Sequence, residues 1–170
     1  MNRSTSIFPV FLLTVFLIGA GSAAPLEEYG DRIYEPELQL NFPRDANLAH
    51  SLGFEQTYGI NGFMVYNDAL RFIRFLNAQA YLGTTNWRLP TIDELRHLYH
   101  VDGVAWVYAD PSAAQPFENL GAMYWAQNIR SFDFFNGEEL SFAAYRHVLP
   151  VANSRAWPGF RPPQPPLPLY

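Results

Sequence analysis

The chain of 170 residues contains no cysteine and no lysine. Without cysteine there are no disulfides, no thiolate metal ligands, no thiol catalysis and no lipoprotein anchor. Every basic residue is an arginine, and no basic stripe forms, which argues against a nucleic-acid partner. Charged residues make up only 16% of the sequence, with acids in excess and a formal charge of −5. Two chemical signatures are also missing. There is no Gly-x-Ser-x-Gly elbow for a serine nucleophile, and no glycine-rich phosphate loop. Beyond the N-terminal segment, no apolar run is long enough to span a bilayer.

That N-terminal segment has a positive Arg3, an apolar Ile7–Ala20 stretch and small residues at Gly21-Ser22-Ala23-Ala24. This is the pattern of a cleaved export signal, with the cut after Ala23 or Ala24. The apolar stretch falls short of the roughly 20 residues a span requires. The expected product is exported, periplasmic or secreted, and has no integral membrane span. Losing Arg3 shifts its charge from −5 to about −6. Its size suits one domain that buries an adequate core without staples. The expected organisation is a signal peptide at 1–23, an N-terminal extension at 24–37, one domain at 38–152 and a proline-rich tail at 153–170.

What is abundant is aromatic: 14 Phe, 10 Tyr and 4 Trp. These residues supply a core, and some Tyr and Trp also suit a binding face. Leu38-x-Leu40-x-Phe42 alternates, so a strand is expected near 37–42. Residues 43–62 read as turn and irregular loop, with Gly53, Gly59 and Asn61-Gly62 as turn signals. Ala69, Leu70, Phe72, Ile73, Leu76 and Ala80 recur at helical spacing. They predict a helix over 68–81, capped by Asn67 and closed by Gly83.

The most informative stretch is Asn86-Trp87-Arg88-Leu89-Pro90-Thr91-Ile92-Asp93-Glu94-Leu95. Pro90 keeps Leu89 extended, and Thr91-x-x-Glu94 is a capping box that opens a helix over about 92–99. Arg88 sits among apolar residues, so it needs a partner, with Glu94 or Asp45 as candidates. Trp87 and Trp125 are expected in the core. Val101–Ala109 reads as a strand or a loop, with Asp102-Gly103 as a turn, and Asp110-Pro111-Ser112 and Gln115-Pro116 make the chain that follows irregular. Met123–Ala126 reads as a core strand, and Phe132-Asp133-Phe134 leads to an Asn136-Gly137 hairpin turn. A return strand is expected over 141–151. Trp157–Tyr170 holds six prolines in fourteen residues, which excludes helix and sheet interior. Helices in the middle flanked by short antiparallel strands define an α+β fold.

Several segments together resemble the Legionella collagen-like protein C-terminal domain family, an exported bacterial domain of unknown function. They are Arg44-Asp45-Ala46-Asn47, the helix start Gly62–Ala69, Gly83–Leu95, and Phe117-Glu118-Asn119-Leu120 followed by Tyr124-Trp125-Ala126. Arg146–Val151 lies where that family has its last strand. The likeness covers roughly residues 38–152. Asn86 stands where the family has aspartate, Tyr66 where it has tryptophan, Ala126 where it has serine and Phe42-Pro43 where it has Trp-Leu. The closing strand lacks the family's valine-arginine ending. The resemblance implies a C-type lectin-like fold: two central helices, a small antiparallel sheet, and long loops between the helical half and the last strands.

His97 and His100 are three residues apart, and no His-Glu-x-x-His pattern occurs, so spacing alone assigns no metal site. Gln115-Pro116-Phe117 and Trp125-Ala126-Gln127-Asn128 only half match the calcium and sugar motifs of C-type lectins. Formylglycine-generating enzymes of the same broad fold class need cysteines. No cofactor is expected. In lectin-like folds the late loop-and-strand region carries ligands, which points to Tyr124, Gln127, Asn128, Arg130, Phe132 and Asp133 as binding residues. The expectation is a non-enzymatic, exported module that recognises a glycan or a surface protein. An envelope or extracellular assembly subunit is the alternative, and an unrecognised hydrolase the third.

Overall fold

The computed structural model describes residues 24–54, 62–108, 110–141 and 144–153. The expected leader and residues 154–170 of the expected tail lie outside them. The described chain is α+β, with two small antiparallel sheets and three α-helices.

Short strands β1 (Glu27–Glu28), β2 (Arg32–Glu35) and β3 (Leu40–Pro43) form a meander, and β7 (Ala152–Asn153) adds to its far edge. Residues 24–37 are therefore not an extension outside the domain. Their Ile33 and Tyr34 are buried in it. Only Ile33 and Tyr34 supply apolar weight to β2, which is too short a run to register as periodicity. A one-turn helix α1 (Leu48–Ser51) follows where irregular chain was expected.

Helix α2 spans Tyr66–Ala78 and buries Ala69, Phe72, Ile73 and Leu76. This is the predicted helix with both ends moved. Val65, in extended conformation, occupies the N-cap, so Asn67 lies inside the first turn and is exposed. Asp68 next to it is buried and pairs with Arg71 at 2.9 Å, a favourable charge near a helix N-terminus. Ala80 takes the left-handed conformation (φ 46°) that breaks the helix, while Gly83 closes the following 3-10 turn, Tyr81–Gly83.

Helix α3 (Ile92–His100) opens on the predicted capping box. The Thr91 hydroxyl accepts from Glu94 N–H at 3.2 Å, and the Glu94 carboxylate accepts from Thr91 N–H at 2.7 Å. The second sheet is β4 (Met123–Ala126), β5 (Arg130–Asp133) and β6 (Glu138–Leu140). The Phe134–Gly137 turn carries Asn136-Gly137 as expected. The return strand is only three residues long, however, and ends before 141. Residues 146–147 instead bridge to Met64 and Tyr124.

Strand β4 divides the core in two. Tyr124 and Ala126 pack with β2, β3 and the Ile92-Leu95-Leu98 face of α3. Trp125 points the other way, to α2, Trp87 and Leu89. Both faces of this strand are covered, so its alternation exposes neither aromatic. The Trp125 indole donates to Met64 C=O at 2.7 Å, and Tyr66 meets its ring edge-on at 5.4 Å.

The 86–95 stretch joins these parts. Arg88 exchanges backbone bonds with Val151, both at 2.9 Å. Gln127 donates its backbone N–H to Pro90 C=O (2.8 Å) and its amide to Leu89 C=O (2.9 Å). The Asn77 side chain grips Trp87 from α2. Its Nδ2 donates to Trp87 C=O at 2.9 Å, and its Oδ1 accepts Trp87 N–H at 2.7 Å. The Trp87 indole donates to Tyr81 C=O at 3.0 Å. Arg88 forks onto Glu94 at 2.8 and 2.6 Å, so exposed Asn86 is not needed to balance it.

Trp87→Ala removes a ring that is 3% exposed, and should lower stability by about 3–5 kcal/mol in urea unfolding. Asn86→Asp should stay within about 0.5 kcal/mol of the wild type. An unchanged midpoint for Trp87→Ala would show that this stretch is not the hub of the fold.

Candidate functional site

The structure separates the residues expected to bind ligand. Tyr124 and Phe132 are fully buried, which corrects their placement on a binding face: each lies on a sheet side covered by α3 and its neighbours. The Tyr124 hydroxyl accepts Gly121 N–H at 2.7 Å, and burial holds its pKa well above the ordinary tyrosine value. Gln127 is the brace on Leu89 and Pro90. Arg130 forks onto Glu139, which Arg96 also engages at 3.0 Å. Asp133 accepts Phe135 N–H at 2.8 Å within the hairpin turn. Asn128 is exposed, in left-handed conformation (φ 60°). Tyr124 and Phe132 thus serve the core, while Gln127, Arg130 and Asp133 hold contacts around the second sheet.

A different concave surface lies just upstream. Residues 106–108, Asp110 and residues between Ala114 and Leu120 border a cleft of about 590 Å³. Trp106 and Tyr108 form one wall, with ring centroids 6.3 Å apart and edge-to-face. Trp106 is anchored by its N–H to Phe134 C=O (2.9 Å) and by Phe135 at 6.0 Å. Tyr108 is 88% exposed. Phe117 and Leu120 close the base. Asp110, Gln115, Glu118 and Asn119 supply polar groups around the apolar floor.

The base is fixed from the other end of the sequence. Glu118 N–H donates to Arg44 C=O (2.9 Å), and Ala46 N–H donates to Glu118 C=O (2.8 Å). Asp45 Oδ1 accepts both Asn47 N–H (2.9 Å) and Asn119 Nδ2 (3.1 Å). Arg44 Nε lies 3.0 Å from Glu118 Oε1, close enough for an ion pair though off line for a hydrogen bond. The Arg44-Asp45-Ala46-Asn47 and Glu118-Asn119-Leu120 segments are thus two halves of one brace. Asp110 is set by its own loop, accepting Ser112 N–H at 3.0 Å and the Ser112 hydroxyl. In the sequence only the half-matching Gln115-Pro116-Phe117 pointed to this stretch. Its aromatics show no periodicity, and its floor depends on contacts across more than 70 residues.

His147 lies behind Gly121, where an added Cβ would come within 2.3 Å of the imidazole. It is buried against Phe63, at 4.0 Å between ring centroids, and Tyr124 at 5.4 Å. Burial, with a lesser push from His50, lowers its pKa to about 4. No helix among the described residues is long and apolar enough to cross a membrane.

No family model, no curated protein and no solved structure matches the chain.

The histidine sets a pH dependence. Above about pH 6.5 it is neutral folded or unfolded. As pH falls towards 4 only the unfolded chain takes the proton, so stability is lost across that window, by about 2–3 kcal/mol from this group. Asp102, pushed up to about 6 chiefly by burial and by Glu35, works in the opposite direction, because its protonation relieves the folded state. His147→Gln should therefore flatten the fall in stability between pH 6.5 and 4 relative to the wild type, read from urea midpoints at each pH. Parallel curves would refute the assignment.

Proposed function

We propose that the protein is an exported, non-enzymatic, C-type lectin-like module, akin to the Legionella collagen-like C-terminal domains, and that the 106–120 cleft binds a glycan. The observation that carries this reading is Tyr108, an almost fully exposed ring standing beside Trp106 over a cleft rimmed by carboxylates and amides. Aromatic faces stack on the apolar C–H faces of sugar rings, while amides and carboxylates take the hydroxyls. A tyrosine so exposed gains little for folding, since its area stays in contact with water. The rim is acidic at Asp110 and Glu118 and the chain has a net charge of −5, which favours neutral or basic sugars over sulfated or uronic ones. Both carboxylates already hold partners, Ser112 and Arg44. That supports a binding role over general acid–base work.

Expected from this reading is a selective response on a glycan array. Tyr108→Ala should cut the affinity for the best neutral glycan by about tenfold or more, because a stacking contact is worth about 1–2 kcal/mol, with an unchanged melting temperature. Trp106→Ala should do the same at some cost in stability. Silence across the array together with partner capture that Tyr108→Ala does not affect would sink the cleft assignment.

A further inference from the structure

A second cluster lies where the β2–β3 turn meets the end of α3. Glu35, the last residue of β2, is fully buried. Its carboxylate accepts Glu37 N–H at 2.8 Å and Leu38 N–H as well. His97, in the last turn of α3, places Nε2 3.4 Å from Glu35 Oε1, 3.7 Å from Glu37 Oε2 and 3.9 Å from Asp102 Oδ2. The donor atoms of Glu35, His97 and Asp102 all lie within 4.8 Å of one another. The Asp102 side chain is only 2% exposed. Both its Oδ2 and the His97 Nε2 are buried without a hydrogen-bond partner.

Buried polar atoms are nearly always paired, so two facing orphans in one cluster call for a third body. A direct charge-assisted contact is a poor candidate. It would draw an acceptor to about 2.7–3.0 Å, yet none of the three carboxylates is closer than 3.4 Å. Spacings of 3.4–3.9 Å are instead near the edges of a coordination sphere, because ligands about 2.0–2.1 Å from one ion stand roughly 3.3 Å apart in a tetrahedron. The C-terminal end of α3 adds a favourable field for a cation. A cleft of about 410 Å³ lined by Leu26, Val101, Asp102, Gln115 and Pro116 opens on the cluster.

We propose that Glu35, His97 and Asp102, with Glu37 as a fourth donor at the rim, bind one zinc-type divalent cation that clamps the β2–β3 turn to the end of α3. One imidazole nitrogen with carboxylate oxygens suits zinc, cobalt or manganese. Calcium and magnesium prefer all-oxygen shells. The ion here is structural: it joins two elements distant in sequence, as a disulfide would in a chain that had cysteines. Gln115 borders the openings of both this site and the 106–120 cleft, but none of the four donors lines that cleft, and the proposal does not depend on what it binds.

The test is equilibrium dialysis of the purified, chelator-treated full chain against micromolar Zn²⁺, with elemental analysis. Co²⁺ as a second probe reports coordination by its visible absorption. The expected result is one Zn²⁺ per chain, a raised melting temperature, and no such response to Ca²⁺ or Mg²⁺. His97→Gln and Asp102→Asn should each weaken binding by at least about tenfold. Glu37→Gln, at an exposed position that folding tolerates, should weaken it several-fold. His100→Gln should leave it unchanged. Sub-stoichiometric zinc in the wild type, or an affinity unchanged from wild type in folded His97→Gln or Glu37→Gln protein, would overturn the proposal.

Discussion

The fold depends on one carboxylate. Glu94 accepts the Thr91 N–H that starts α3 and both guanidinium arms of Arg88. Burial alone would raise its pKa; the hydrogen bonds from Arg88 and Thr91 outweigh that and hold it below the ordinary glutamate range. A half-buried ion pair of this kind is worth little against an apolar substitute, but breaking one partner strands the other. Its value here is positional. With Arg88 held from below, the Arg88 peptide is free to pair with Val151 and deliver the chain into β7. Pro90 and Leu89 then turn their carbonyls to Gln127 at the end of β4. One side chain thereby sets a helix start, a strand partner and the approach of the second sheet.

Such side-chain-to-backbone ties recur. Asn77 grips the Trp87 peptide, Asp45 holds the Asn47 N–H, and the Trp125 indole holds Met64. They take the place of long regular ladders, since the strands among the described residues have four residues or fewer. Short strands bury little by themselves, and the large aromatics Trp125, Tyr124, Phe72 and Phe132 supply the area. In a chain without cysteines this is a coherent solution: heavy rings for the transfer energy, and single polar anchors for register.

How much of this was legible follows from where the information sits. The capping box, the α2 face and the Asn136-Gly137 turn are local patterns, and the structure contains all three. Asn77 was legible only as a polar residue on the outer face of α2, because nothing local says that Trp87 will lie within its reach. The β2 strand was missed since Arg32–Glu35 carries two charged ends around two apolar residues. Tyr124 and Phe132 were misplaced for a physical reason. Alternation identifies a solvent face only if a sheet has one, and β4 is covered on both. His97 was read with its sequence neighbour His100, whereas its partners in space come from residue 35 and residue 102.

The distribution of satisfied and unsatisfied groups carries the last step. Across the 86–95 hub every buried polar side-chain group finds a partner, and there the local rules and the global fold agree. At Glu35, His97 and Asp102 they disagree: three acidic groups, Glu35, Glu37 and Asp102, face one imidazole, and the orphan atoms of His97 and Asp102 lie 3.9 Å apart. Folding alone gives no reason to bury Asp102 there, since burial and like charge both penalise its ionised form. Two orphan atoms face to face beside buried carboxylates, unlike the isolated orphans elsewhere, mark a place where a ligand-dependent role belongs. The same reasoning applies in reverse at Tyr108, where a large ring is left in water although the chain has ample core to hide it.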